Sequence, residues 1–290
     1  MTGSEEAALR RLSLNTATVK NADLPTALRV AARAGFGAVG LWRDRVAEVG
    51  LPAAVELVGE TGLPVSSLCR GGFLTGADAE DEALRDNTAA IAEAQALGTR
   101  ELVMVVGGLT LPDRDLVAAR RRVAERLASL VPIAREHGVR LVLEALHPMY
   151  CADRAVISTL EQALDLAAPY EPETVGVVVD TFHQWWDPDL ERQIERAGSE
   201  HRLAGYQICD WNLPIAQDAL LSRGLMGDGY IDFATITTWM ERAGYDGPIE
   251  VEIFNADIWA ADPQSVAEAV RDRYLELVAP YLGRPSTSQP

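Results

Sequence analysis

Four polar residues close short apolar runs in this chain: Glu144 ends VRLVLE, Asp180 ends TVGVVVD, Gln207 lies in LAGYQICD and Glu252 lies in GPIEVEIF. A carboxylate in such a place serves mainly to hold a cation or to move a proton. Three carboxylates and an amide oxygen form a hard, oxygen-rich donor set. It suits one divalent metal ion, Mn²⁺ first, with Mg²⁺ and Co²⁺ as alternatives. The plainer use of each acid is to cap the next helix or pair with an arginine, but four equivalent placements favour a shared site. Glu250 and Glu252 share strand parity and point to one face, so Glu252, nearer the strand end, is the expected ligand and Glu250 its support from below.

Two histidines repeat one offset: His147 follows Glu144 by three residues, and His183 follows Asp180 by three. Each is expected to bind a hydroxyl group or move a proton. The long stretch DWNLP to LLSRGLMGDGYIDF has the make-up of a loop that closes over substrate, with Asp210 placed to contact it. Arg223 in that stretch reads equally as a clamp on substrate oxygens or as a salt-bridge partner. GDG at 227–229 is a turn signal, not a dinucleotide fingerprint, because no GxGxxG follows a strand. Trp42, Trp185, Trp186, Trp211 and Trp259 cluster after strands, and Trp186 is assigned to stacking on a sugar ring.

Eight elements must carry these residues. Apolar runs at 11–16, 38–42, 64–69, 101–106, 140–144, 175–180, 203–209 and 249–254 read as buried parallel strands. Stretches with apolar spacing of three and four lie between them, and several end on a glycine: Gly35, Gly62, Gly98, Gly138 and Gly244. Eight unbroken strand–helix units predict an α/β fold, a single (β/α)8 TIM barrel over 1–283, with a polar C-terminal tail over 284–290. In such a barrel the carboxyl ends of the strands carry the chemistry, so the four polar residues converge on one mouth.

A net charge of −17 repels phosphate backbones and acidic headgroups, which argues against nucleic-acid and membrane-surface partners. No apolar stretch approaches the ~20 residues of a membrane span, and MTGSEEAALRR lacks a signal peptide's apolar stretch, so a cytoplasmic location is expected. Cys69, Cys151 and Cys209 show no CxxC spacing and read as free thiols. Lys20 is the chain's one lysine and lies outside any predicted strand, which sets aside Schiff-base aldolase chemistry. The loops after strands seven and eight, DWNLP and NADIWAADP, lack the glycine-rich form that holds phosphate. An uncharged sugar, cyclitol or glycoside is therefore expected, with a phosphate held by Arg43, Arg70 and Arg223 as the alternative.

The set LEALHP, VVDTFHQWWDP, YQICD, RGLMGDG and GYDGPIEVEIF resembles the sugar phosphate isomerase/epimerase superfamily, the xylose isomerase-like barrels. The resemblance implies one divalent metal on Glu144, Asp180, Gln207 and Glu252, with Gln207 standing where histidine is usual. It also implies that Glu144 and Glu252 act as acid and base through an enediolate, and that His183 binds substrate. A subset of the superfamily cleaves 3-keto C-glycosides by elimination with a small β-rich partner subunit. On that lyase alternative His147 is the base. A homo-oligomer is expected by analogy. DNA-repair endonucleases of the same barrel use a histidine-rich trinuclear zinc site and a basic groove; four histidines and the acidic charge argue against that activity.

Overall fold

The computed structural model describes residues 3–76, 80–109 and 114–283, so the tail expected at 284–290 lies outside the described residues. Eight parallel strands close into a barrel: Leu12–Asn15, Ala38–Trp42, Val65–Gly72, Glu101–Val105, Arg140–Glu144, Val175–Asp180, Leu203–Ile208 and Ile249–Val251, called here strands one to eight. Strand one closes the ring by pairing with strand eight at Leu12 and Ile249 and with strand two at Ser13 and Ala38. This is the (β/α)8 barrel that the alternating pattern predicts. Among the described residues no helix is long and apolar enough to cross a membrane.

The helices form where apolar spacing and caps agree. Leu24–Ala34 begins at Asp23, whose carboxylate accepts from the Thr26 amide at 2.9 Å, and ends at Gly35 with φ +85°. Its Leu24 and Leu28 are buried against the barrel, each leucine contributing roughly 1.5–3 kcal/mol. One expected helix, between strands two and three, is two: Gly50 at φ +84° breaks it into Arg43–Val49 and Leu51–Thr61, and Pro52 restarts it. Helix Gly3–Leu9 and a short antiparallel pairing of Asp210–Trp211 with Arg223–Gly224 lie outside the eightfold pattern. That pairing pins the long loop after strand seven across the mouth.

The barrel's lumen holds a polar cluster. Glu250 accepts four side-chain hydrogen bonds: Asn15 Nδ2 at 2.7 Å and Gln207 Nε2 at 3.0 Å on one oxygen, Ser66 Oγ at 2.6 Å and Ser67 Oγ at 2.8 Å on the other. Gly40 makes room for it, since a Cβ there would run into the Glu250 carboxylate. A buried carboxylate without such partners would be costly; with them it ties strands one, three, seven and eight together.

Candidate active site

Strands five, six and eight deliver their carboxylates to one place. Glu144 and Asp180 are the last residues of their strands, and Glu252 follows the last residue of strand eight; all three are buried. Asp180 also caps the short helix Thr181–Gln184, its Oδ1 accepting from the Phe182 amide at 2.7 Å. Trp42 ends strand two, and its indole N–H donates to Glu252 Oε1 at 3.0 Å. The sequence marks Trp42 as an aromatic after a strand but gives no sign that it orients a carboxylate.

Arg223 enters this group from the loop. Its Nη1 donates to Asp180 Oδ2 at 3.0 Å, to Glu252 Oε2 at 3.3 Å and to the Glu252 carbonyl at 3.1 Å, and its Nη2 lies 3.0 Å from His183 Nε2. Of the two readings left open for Arg223, the salt bridge is the one formed. The guanidinium is buried between the rings of Phe182 and Phe254, 4.7 and 5.3 Å from their centroids. His183 is buried, with Nε2 3.7 Å from Glu144 Oε1, and the His147 backbone N–H donates to its Nδ1 at 3.2 Å. His147 is half-buried, packed on Trp186 and Trp211 with ring centroids 5.5 and 5.2 Å away. Its Nδ1 accepts from the Met149 amide at 3.2 Å, so the neutral ring carries its proton on Nε2.

Burial and mutual repulsion set the protonation of this group. Burial pushes the Glu144 carboxyl well above its usual value, the charges of Asp180 and Glu252 push it further, and Arg223 opposes them. Burial raises Glu252 to about 7 and raises Asp180, in both cases against Arg223. Burial, with Arg223 adding to it, holds His183 well below the usual histidine range, so its ring is neutral. Burial also lowers His147. At the amino end of the barrel, burial pushes Glu101 up to about 7 despite Arg140.

A pH dependence follows. The folded values of Glu101 and Glu252, about 7, exceed the ordinary 4.5, so between those limits the folded chain binds more protons than the unfolded one. Stability then falls as pH rises through that window. Calorimetric melts should show a lower Tm at pH 8 than at pH 5.

The remaining expected residues fall in separate places. Gln207 Nε2 is committed to Glu250, and Gln207 lines a lower cavity of about 540 Å³ with Glu250, Ser66, Glu101 and Arg140, at the amino end of the barrel. Its Oε1 is buried with no partner, an acceptor left free. Asp210, expected at the substrate, is instead saturated by backbone: Oδ2 accepts from Gly227 and Gly229 at 2.9 and 2.8 Å, and Oδ1 from Trp211 and Ile231 at 2.8 and 3.0 Å. The GDG signal has its physical reason here. Gly227 adopts φ +90°, and a Cβ at Gly229 would collide with the Trp211 carbonyl. Trp186 donates its indole N–H to the His183 carbonyl at 2.8 Å, and Trp259 donates to the Ala17 carbonyl at 2.7 Å. Arg43 is held by Glu93 at 2.7 and 3.0 Å and by Asp86 at 3.0 Å, which leaves it no free edge for a phosphate. Arg70 stacks on Phe73 at 3.9 Å.

The mouth cavity, about 80 Å³, is lined by Glu144, Glu252, His183, Arg223, Trp42 and Cys69 among others. Its donors fit a cation. Ligand atoms of Glu144, Asp180 and His183 lie within 4.8 Å of one another, as do those of Cys69, Glu250 and Glu252. Three buried carboxyl groups at the mouth face one buried guanidinium, so their full ionisation would leave negative charge that a divalent ion would neutralise.

A closed parallel barrel with acids on its strand ends defines the class of protein, and comparison with known proteins supplies the family. Residues 28–276 match the family described as xylose isomerase-like TIM barrel, and the chain belongs to it. Among solved structures it is similar to protein SMc04130 from Sinorhizobium meliloti 1021, with 44% identity, a TM-score of 0.89, and coverage of 92% of this chain and 98% of that one. Among curated proteins it is similar to the inosose isomerase of Halalkalibacterium halodurans, 21% identical over 56% of each chain. It is also similar to the 3-dehydroshikimate dehydratase of Pseudomonas aeruginosa, 29% identical over 60% of this chain and 26% of that one. The chain thus spans about half the length of that isomerase and a quarter of that dehydratase.

Proposed function

We propose that this chain is a divalent-metal-dependent isomerase or epimerase of an uncharged keto-sugar or cyclitol, in which Glu144 and Glu252 move a proton at the carbon beside the carbonyl. The observation that carries this is the pair of buried carboxylates lining one small cavity, with Glu252 poised at about 7. A proton-transfer group works best when it titrates near the working pH. Glu144, Asp180 and Glu252 would hold the ion, with the unpartnered Gln207 Oε1 as a fourth oxygen; Mn²⁺ suits this set, as do Mg²⁺ and Co²⁺. When bound, the ion polarises the substrate carbonyl and stabilises the negative charge that forms as the neighbouring C–H ionises.

The chain's own groups then divide the work. The Trp42 N–H fixes Glu252 Oε1, and Oε2, which accepts from Arg223 in the resting site, is the oxygen that exchanges a proton once that bond is released. Glu144 returns a proton from its own position. Delivery to the opposite face gives an epimer, and delivery to the adjacent carbon gives an isomer. His183, neutral and buried, orients a substrate hydroxyl, while Trp186 and Trp211 pack on the neighbouring His147.

Elimination is the second reading, favoured by the likeness to a dehydratase and by His147. With Nδ1 accepting from Met149, the neutral His147 presents an Nε2–H donor, suited to hydrogen-bonding a departing oxygen rather than to taking a proton. Deuterium wash-in at the α carbon tests both readings, using a panel of ketoses, inososes and 3-keto glycosides with Mn²⁺. Exchange with retention of all substituents supports isomerisation or epimerisation, and exchange with release of a β substituent supports elimination. Absence of deuterium from every substrate would sink both.

A further inference from the structure

We propose that Arg223 is a displaceable resident of the cation position: its guanidinium neutralises Asp180 and Glu252 while the site rests and is expelled when a divalent ion takes those carboxylates. This rests on the metal-dependent reading above. Three observations point the same way. First, Nη1 lies within 3.3 Å of one oxygen from each carboxylate and of the Glu252 carbonyl, a point ringed by oxygens from strands six and eight. A divalent ion drawing on the same oxygens would sit against a guanidinium that is always charged.

Second, the resting contacts ask too much of His183. The His147 N–H donates to Nδ1, and Arg223 Nη2, which has no lone pair to accept with, faces Nε2 at 3.0 Å. A neutral imidazole has one acceptor nitrogen, so these two contacts cannot both be hydrogen bonds. Withdrawal of Arg223 removes the conflict: Nδ1 keeps its bond and Nε2–H turns to Glu144 or a substrate oxygen. Third, the mouth has little room. Its roughly 80 Å³ is about half of the ~150 Å³ cavity that admits benzene, and a six-carbon sugar carries its hydroxyls besides.

The loop is built so that the side chain can leave while its backbone stays. Asn255 Nδ2 donates to the Arg223 carbonyl at 2.8 Å, and the pairing with Trp211 holds the strand. Nε of Arg223 is buried with no partner, so no hydrogen bond from that atom holds the side chain in place. The arginine thereby offsets the charge of these carboxylates before loading.

Calorimetric and tryptophan-fluorescence titrations with Mn²⁺ on the full chain test this, using wild type, Arg223→Met, Arg223→Lys and Glu252→Gln. Arg223→Met should bind Mn²⁺ about tenfold or more tightly than wild type, because the competing charge-assisted bonds are gone. Its metal-free Tm should be lower and its gain in Tm on adding Mn²⁺ larger. Arg223→Lys, a point charge without the forked reach, should fall between, and it carries the comparison if Arg223→Met does not fold. Glu252→Gln should lose binding, which locates the ion. Wild-type binding with equal or weaker binding by both Arg223 variants overturns the displacement alone. No binding by wild type or variants overturns the metal-dependent reading and this inference with it.

Discussion

Glutamine in place of Glu252 should lower α-proton exchange by about a thousandfold or more while leaving the barrel folded. The amide oxygen can still accept from Trp42, and the side chain keeps its length, so packing is preserved. What disappears is a group able to take and return a proton, worth about 10²–10⁴ in rate, and one of the charges that would grip an ion. The stability change should run the other way. An ionised Glu252 is unfavourable in this buried place, as its raised value shows, so above pH 7 the metal-free Glu252→Gln chain should melt at the same temperature or higher. Deuterium exchange rates read beside melting curves separate these effects. An unchanged exchange rate would remove Glu252 from the chemistry.

Asp210→Ala should produce the largest loss of stability, about 3 kcal/mol or more, without touching a carboxylate of the mouth. Four backbone amides, from Trp211, Gly227, Gly229 and Ile231, lose their common acceptor; the buried Ile231 donor left without one costs about 1–3 kcal/mol, and each of the three more exposed bonds adds about 0.5–1.5 kcal/mol. The loop that carries Arg223 is the part released. Hydrogen exchange should quicken at 223–231 first, and urea unfolding should report the loss. Asp210→Asn, which keeps one acceptor oxygen, should fall between the two. The substrate-binding role expected from sequence makes the opposite forecast: a raised KM with normal protection of those amides. The two measurements therefore decide between a strut and a contact.

Asp210 shows how a correct motif can carry an unseen meaning. GDG reads as a turn, and Asp210 reads as an acid beyond a strand, but nothing in either segment says that one carboxylate of the first accepts the amides of the second. Gln207 is a similar case. Its place in strand seven is legible from the apolar run LAGYQIC, whereas its bond to Glu250 depends on how strand seven registers against strand eight, some forty residues later. Arg223 meets Asp180 and Glu252 only because the loop after strand seven folds back over the mouth.

By itself the sequence determined the barrel and its active end. Alternation of apolar runs with helical spacing and glycine stops is a local pattern, and parity along a strand decides which residues face the lumen. Glu144, Asp180 and Glu252 were therefore readable as strand-end acids of one mouth. Only the tertiary structure decided their partners: Arg223 between two of them, Trp42 on the third, Gln207 drawn down to Glu250 and Asp210 spent on its loop. The reason is physical. Whether a buried polar group is satisfied depends on atoms brought within about 3 Å by ring closure and register, and no local pattern specifies them.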